Sequence, residues 1–240
     1  TFGLTKNITT LAGAMITTND DSVAEFVRSE ISAGGYTPKQ KAIREALTGV
    51  AMFVATHPAI YWATVHPAVV LGNKLGQDPI HDRFGEAERT YESVPDYYKA
   101  QGKALAVQAA VGLKQLDRIE SLNGARIVNG QALDRGLNGT SGVALPQYPS
   151  GSQPIYMSFV LHHQDRAALA AELRSRGVDT TTGYMNDMAD HPLFPEYRMP
   201  CPNATKANKE LLHIPVHPNL TGKDRAHLVA AIKDSVAALS

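Results

Sequence analysis

The chain has 240 residues, 43% of them apolar and 19% charged, with 23 basic side chains against 23 acidic ones. These proportions suit a folded globular protein of one large or two smaller domains, and a balanced charge without a basic run argues against a nucleic-acid partner. The lone cysteine, Cys201, excludes an internal disulfide and fits a reducing, cytoplasmic compartment.

Residues 1–20 read TFGLTKNITTLAGAMITTND. A single lysine, Lys6, stands between two hydroxyl-bearing runs and ahead of an apolar stretch, 13–18, that reads as a strand. Lysine amines become nucleophiles where a site desolvates them or sets them beside another cation, and imine formation is the usual outcome. A helix is expected over 22–31. Gly34-Gly35 lacks the lysine or third glycine of a phosphate loop.

Residues 46–73 contain no charged side chain and lie between Arg44-Glu45 and Lys74. Their middle repeats a motif around His57-Pro58 and His66-Pro67. The prolines and interior histidines argue against a straight membrane span. The stretch reads as a helical insertion buried against the domain or a partner subunit. The alternative is a membrane-surface hairpin with Tyr61 and Trp62 at the interface. Residues 77–98, rich in charge and aromatics, read as a surface connection with short helical turns.

In residues 103–116 (KALAVQAAVGLKQL), Leu105, Val107, Ala109, Ala110, Leu113 and Leu116 recur at helical steps and predict an amphipathic helix. Asn138-Gly139 and Ser141-Gly142 mark a turn. A β-branched and aromatic strand follows at 155–162, then a helix opened by Asp165 and closed by Gly177, an extended stretch at 211–218, and a final helix from about 221 to 239. His213 and His217 are four apart, but Pro215 and Pro218 preclude a helix there and no third ligand stands near, so no metal site is expected.

The lysine segment closely resembles the lysine loop of the DegT/DnrJ/StrS family of PLP-dependent sugar aminotransferases. There a Ser-Phe or Thr-Phe pair precedes the lysine, and Asn, hydroxyl residues and small glycines follow it. Residues 103–116 resemble the helix that links the family's large and small domains, and the order of elements from 155 to 239 resembles its small C-terminal domain. Residues 33–100 stand outside the resemblance.

The resemblance implies an α/β fold. Residues 1–101 would be the remainder of a large PLP-binding domain with a mixed sheet, carrying the apolar insertion 46–73. A linking helix region, 102–139, and a small α/β domain, 140–240, would follow. The implied cofactor is pyridoxal 5'-phosphate, with Lys6 as the catalytic residue that binds its aldehyde and Thr1 and Gln101 as contacts to its phosphate. Gln101 stands where the family has Asn, and Lys103 where it has Arg; the glutamine amide still donates, with a reach longer by one methylene. Tyr184 falls on the family's substrate-facing His-Tyr pair, with Gly183 replacing the histidine.

The implied activity is transfer of an amino group from glutamate or a similar donor to a nucleotide-linked keto-sugar, within a homodimer, in surface-polysaccharide or secondary-metabolite synthesis. With the lysine loop at its start, the chain reads as a C-terminal portion, inactive alone. A preceding part would carry the aromatic residue that stacks on the cofactor ring and the acid that pairs with its nitrogen. Two other readings stand beside this one. One is the PLP-dependent dehydratase branch, which has His at the lysine position. The other is a non-catalytic interaction or membrane-surface module derived from the same fold.

Overall fold

The computed structural model describes residues 2–3, 6–10, 13–34, 39–57, 60–65, 67–68, 71–72, 103–181, 187–190 and 194–239. The chain divides into two compact units, Thr1–Asp117 and Arg118–Ser240. The division falls inside the expected linking region. Helix α3 (Ala106–Leu116) ends the first unit and α4 (Ile119–Leu137) opens the second. Asp117 keeps helical angles (φ −56°, ψ −21°), while Arg118 leaves them at φ −116°, ψ 0°. The expected connection 77–98 lies outside the described residues.

In the first unit, α1 (Asp21–Ala33) starts where expected because Asp20 caps it: its Oδ1 accepts from the amides of Ser22 (2.9 Å) and Val23 (3.3 Å). Helix α2 (Lys39–Ala55) and a one-turn π-helix (Tyr61–Val65) follow. Residues 13–18 do not form the expected strand. They have no regular structure, with Met15 67% exposed, and no neighbouring segment among the described residues of this unit offers them a ladder. The apolar face expected for the linking helix is likewise exposed at Val107, Leu113 and Leu116. Nor are the large apolar residues of α2 buried against the domain; Phe53 is 77% exposed.

The second unit closes a core of its own. Strands β1 (Phe159–His162) and β2 (Leu211–Ile214) pair antiparallel, with Phe159 opposite Ile214 and Leu161 opposite Leu212. Single bridges from Ala144 to His162 and from Thr181 to His213 extend this sheet at both edges. Period-2 alternation sends Phe159, Leu161, Leu212 and Ile214 to one face, and all four are fully buried. Against that face lie Leu133 and Leu137 of α4, Leu169 and Leu173 of α5 (Arg166–Ser175), and Leu228, Ile232 and Val236 of α7 (Gly222–Ala238). Each fully buried leucine or isoleucine is worth about 1.5–3 kcal/mol relative to exposure. Helix α6 (Pro202–Glu210) leads directly into β2.

Helix ends in this unit are set by local chemistry. Asp165 accepts from the Ala168 amide (2.9 Å) to open α5. At its other end Gly177 adopts φ +77°, the Gly177 amide donates to Arg174 and the Val178 amide to Leu173, which are the two bonds of a Schellman motif. Thr221 and Asp224 form a reciprocal capping box on α7.

Tyr156 is the one non-glycine residue with positive φ (+47°) among the described residues, and it is buried. Its ring lies over Gly130 of α4, where an added Cβ would come within 2.4 Å of the ring. Phe159 stacks on one side of that ring at 6.2 Å between centroids, and Tyr148 meets it edge-on at 6.0 Å. Packing of the ring thus holds a backbone conformation that a bulky residue otherwise avoids. Gly130→Ala should therefore lower unfolding stability by about 1–3 kcal/mol, measured as a shifted urea midpoint. An unchanged midpoint would show that the ring does not need this seat.

Candidate cofactor-binding site

Lys6 lies in a short bend over residues 6–8, half-buried, with its amide donating to the Gly3 carbonyl at 3.1 Å. The loop closes on itself through Phe2. The Phe2 amide donates to Gly13 (2.8 Å), and the Thr10 amide donates to the Phe2 carbonyl (2.9 Å). Among the described residues, no carboxylate lies within ion-pair distance of the Lys6 amine.

Helix α3 fixes this loop. Gln115 clasps the backbone of Thr9 from both sides: its Oε1 accepts from the Thr9 amide (3.0 Å) and its Nε2 donates to the Thr9 carbonyl. Gln108 accepts from the Leu105 amide at the helix start (2.9 Å) and donates to the Thr10 carbonyl (3.4 Å). Between them Gly112 lets Thr10 approach; a Cβ at 112 would lie 3.1 Å from the Thr10 methyl. Residues 108, 112 and 115 are four and three apart, so they form one stripe of the helix. The face of α3 that meets the loop is this polar and glycine stripe, rather than the apolar face that the sequence pattern suggests. Gln115 as an anchor is not visible in the sequence, since an isolated glutamine on a helix is ordinarily a solvated residue.

Of the other expected site residues, Thr1, Gln101 and Tyr184 lie outside the described residues. Tyr184 follows three residues after Thr181, whose backbone is pinned to His213 by two hydrogen bonds of 2.9 and 3.2 Å. The second unit also carries three polar braces of its own. His213 Nδ1 and Ser158 Oγ share a hydrogen bond of 2.7 Å. Buried Asn129 donates to the His217 carbonyl (2.8 Å) and accepts from Arg225 (2.8 Å). Arg126 donates to the carbonyls of Met157 (3.2 Å) and Tyr156 (3.5 Å). His213 and His217 lie on a strand and the loop after it, and among the described residues no group of three metal-ligating side chains gathers.

Burial, then the nearby Arg166 cation, holds the His213 imidazolium pKa below its ordinary value; burial and Arg126 do the same for His217.

Comparison with known proteins gives the class to which the chain belongs. Residues 83–233 match the DegT/DnrJ/EryC1/StrS aminotransferase family, and the chain belongs to it. The family is PLP-dependent. A dTDP-4-dehydro-2,6-dideoxy-D-glucose 3-dehydratase of Saccharopolyspora spinosa is 29% identical over 145 residues, covering 56% of this chain and 31% of that protein. A dTDP-3-amino-3,4,6-trideoxy-alpha-D-glucose transaminase of Streptomyces venezuelae is 27% identical over 131 residues, covering 53% and 35%. The crystal structure of DesV from S. venezuelae shares the fold, with a TM-score of 0.53 at 23% identity, covering 65% of this chain and 42% of that one. The chain thus spans about a third of the length of the curated relatives it matches. Lys6 precedes the matched residues.

Two outcomes follow. Gln115→Ala should speed hydrogen exchange at the Thr9 amide by roughly 2- to 10-fold, the worth of one net hydrogen bond, and mass spectrometry of the N-terminal peptide reads this directly. For the histidines, a folded pKa below the unfolded one means that the unfolded chain binds protons first as pH falls. Their contribution is complete above the unfolded value near 6.5 and is lost as pH drops from there toward the folded value. The melting temperature should fall between pH 7 and pH 5, and His213→Asn should shrink that fall.

Proposed function

We propose that this chain carries the Schiff-base lysine of a PLP-dependent aminotransferase that moves an amino group from glutamate, or a similar donor, to a nucleotide-linked keto-sugar. The observation that carries the reading is the clasped loop: Lys6 sits on a bend held to the helix whose pattern the family shares. A half-buried primary amine on an anchored loop fits a cofactor that presents an aldehyde. When bound, pyridoxal phosphate supplies that aldehyde and a ring that delocalises the electron pair left by a departing α-proton.

In this reading Lys6 holds the cofactor through Nζ in the resting protein. With an amino donor in its place, the freed Nζ would take up the proton from the donor's α-carbon and hold it for return as the amino group is transferred. A neutral amine is needed for the first half of that transfer. The clasp of Gln115 and Gln108 keeps the backbone beside Lys6 fixed, so that Nζ pivots on its own side chain. Thr1 and the amide of Gln101 would donate to the phosphate dianion, and Tyr184 would face the sugar. The assembly would be a homodimer acting on soluble nucleotide-sugars.

Dehydration of a keto-sugar is a second reading, favoured by the S. spinosa relative's activity. Lysine at position 6 speaks against it, because the dehydratase branch has histidine there. Borohydride reduction in the presence of pyridoxal phosphate, in the protein that carries this chain with whatever completes its site, should label Lys6. Lys6→Ala should lose both the label and the lysine-bound cofactor's visible absorbance, with turnover reduced at least about 10²-fold. A label that persists in the variant would sink the assignment. Keto-sugar consumption that needs no glutamate would move the dehydratase reading to first place.

A further inference from the structure

Helix α2 and the π-turn that packs against it are left unexplained by the catalytic reading, and they lie outside the residues that match the family. Ile43, Leu47, Val50 and Val54 follow one another at steps of four, three and four, which places them along one seam of α2. All four are exposed, Leu47 at 64% and Val50 at 62%, with Phe53 beside them. The half-buried positions beyond the second turn are mostly small: Ala46, Gly49, Met52 and Ala55. Helix α2 therefore presents the large apolar side chains of this seam outward.

We infer that this hairpin rests on an anionic lipid surface, with the 43/47/50/54 seam in the acyl boundary. Two observations favour lipid over a protein partner. The charges nearest the uncharged stretch are mostly cationic: Lys39, Lys41 and Arg44 against Glu45 before it, and Lys74 directly after it, with Asp78 the next charged residue. Such an arrangement matches anionic headgroups flanking an apolar patch. A protein-covered face is normally ringed by a polar, charged rim, whereas residues 46–73 carry no charge on any face. Length decides between lying on the bilayer and crossing it. The 17 residues of α2 span about 25 Å, short of the roughly 30 Å hydrocarbon core, and no described helix is long and apolar enough to cross. His57, exposed at the end of α2, also keeps the hairpin near the interface.

The test is flotation of the full chain with vesicles of phosphatidylcholine alone or mixed with phosphatidylglycerol. The chain should float with the mixed vesicles and lose roughly tenfold in binding on the neutral ones. Leu47→Asp/Phe53→Asp, at positions already facing solvent, should abolish flotation with the helical circular-dichroism signal unchanged. Lys39→Glu/Arg44→Glu, which leaves the seam intact, should weaken it severalfold on anionic vesicles only. Failure to float, or flotation unaffected by the seam variant, overturns the proposal. If the seam variant instead lowers the mass seen by light scattering without vesicles, the occupant is a second copy and the lipid assignment falls. None of these readouts involves Lys6, so the result stands apart from the aminotransferase assignment.

Discussion

The two-sided grip of Gln115 on the backbone of Thr9 is the interaction on which the candidate site depends. A lysine on a free loop has a long flexible stem on a flexible base, and its amine samples a large volume. Here the base is removed from that sum. The amide of one glutamine satisfies both the donor and the acceptor of a single peptide backbone, and a second glutamine, two helical turns away, holds the next residue while also serving the start of its own helix. Gly112 lets the loop come close enough for both bonds to form. Replacing any of the three residues changes the seat of Lys6 without touching its chemistry, which is how a helix distant in sequence becomes part of a lysine site.

The two units solve the burial problem differently. Arg118–Ser240 encloses its apolar side chains between a short sheet and three helices, and its polar braces at Asn129, Arg126 and His213 tie loops to that core. In Thr1–Asp117, Thr10 is the buried residue among those described, and the large apolar side chains of α1, α2 and α3 face outward. Apolar residues placed with helical regularity and left exposed are surface intended for contact. For α2 the charge pattern selects lipid. For α3 the stripe facing the loop is already occupied, and its apolar residues lie on the helix's other sides.

Much of the second unit was legible from the chain itself. The strand expected over 155–162 forms at 159–162, since Tyr156 turns the chain before it, and the extended stretch 211–218 pairs at 211–214. Asp165 as a helix opener and Gly177 as a left-handed stop are local signals that act within one or two turns. What could not be read depends on distant partners. The stretch 13–18 has the composition of a strand, but a strand is completed by a neighbour, and among the described residues of its unit none pairs with it. The apolar periodicity of 105–116 correctly marked a helix and misassigned its contact face, because two glutamines that look like solvent-facing residues meet a backbone 98 and 106 positions earlier. Period reports regularity; it does not say which side the rest of the protein will occupy.

That separation in sequence has a consequence for the order of assembly. At synthesis rates of roughly 5–20 residues per second, the 106 residues between Thr9 and Gln115 delay the clasp by about 5–20 s after the lysine loop is made. During that interval the loop that carries Lys6 lacks its contacts with α3. The loop acquires its fixed geometry when α3 emerges, while the second unit is still being made. The backbone that carries Lys6 is thus made well before the helix that holds it.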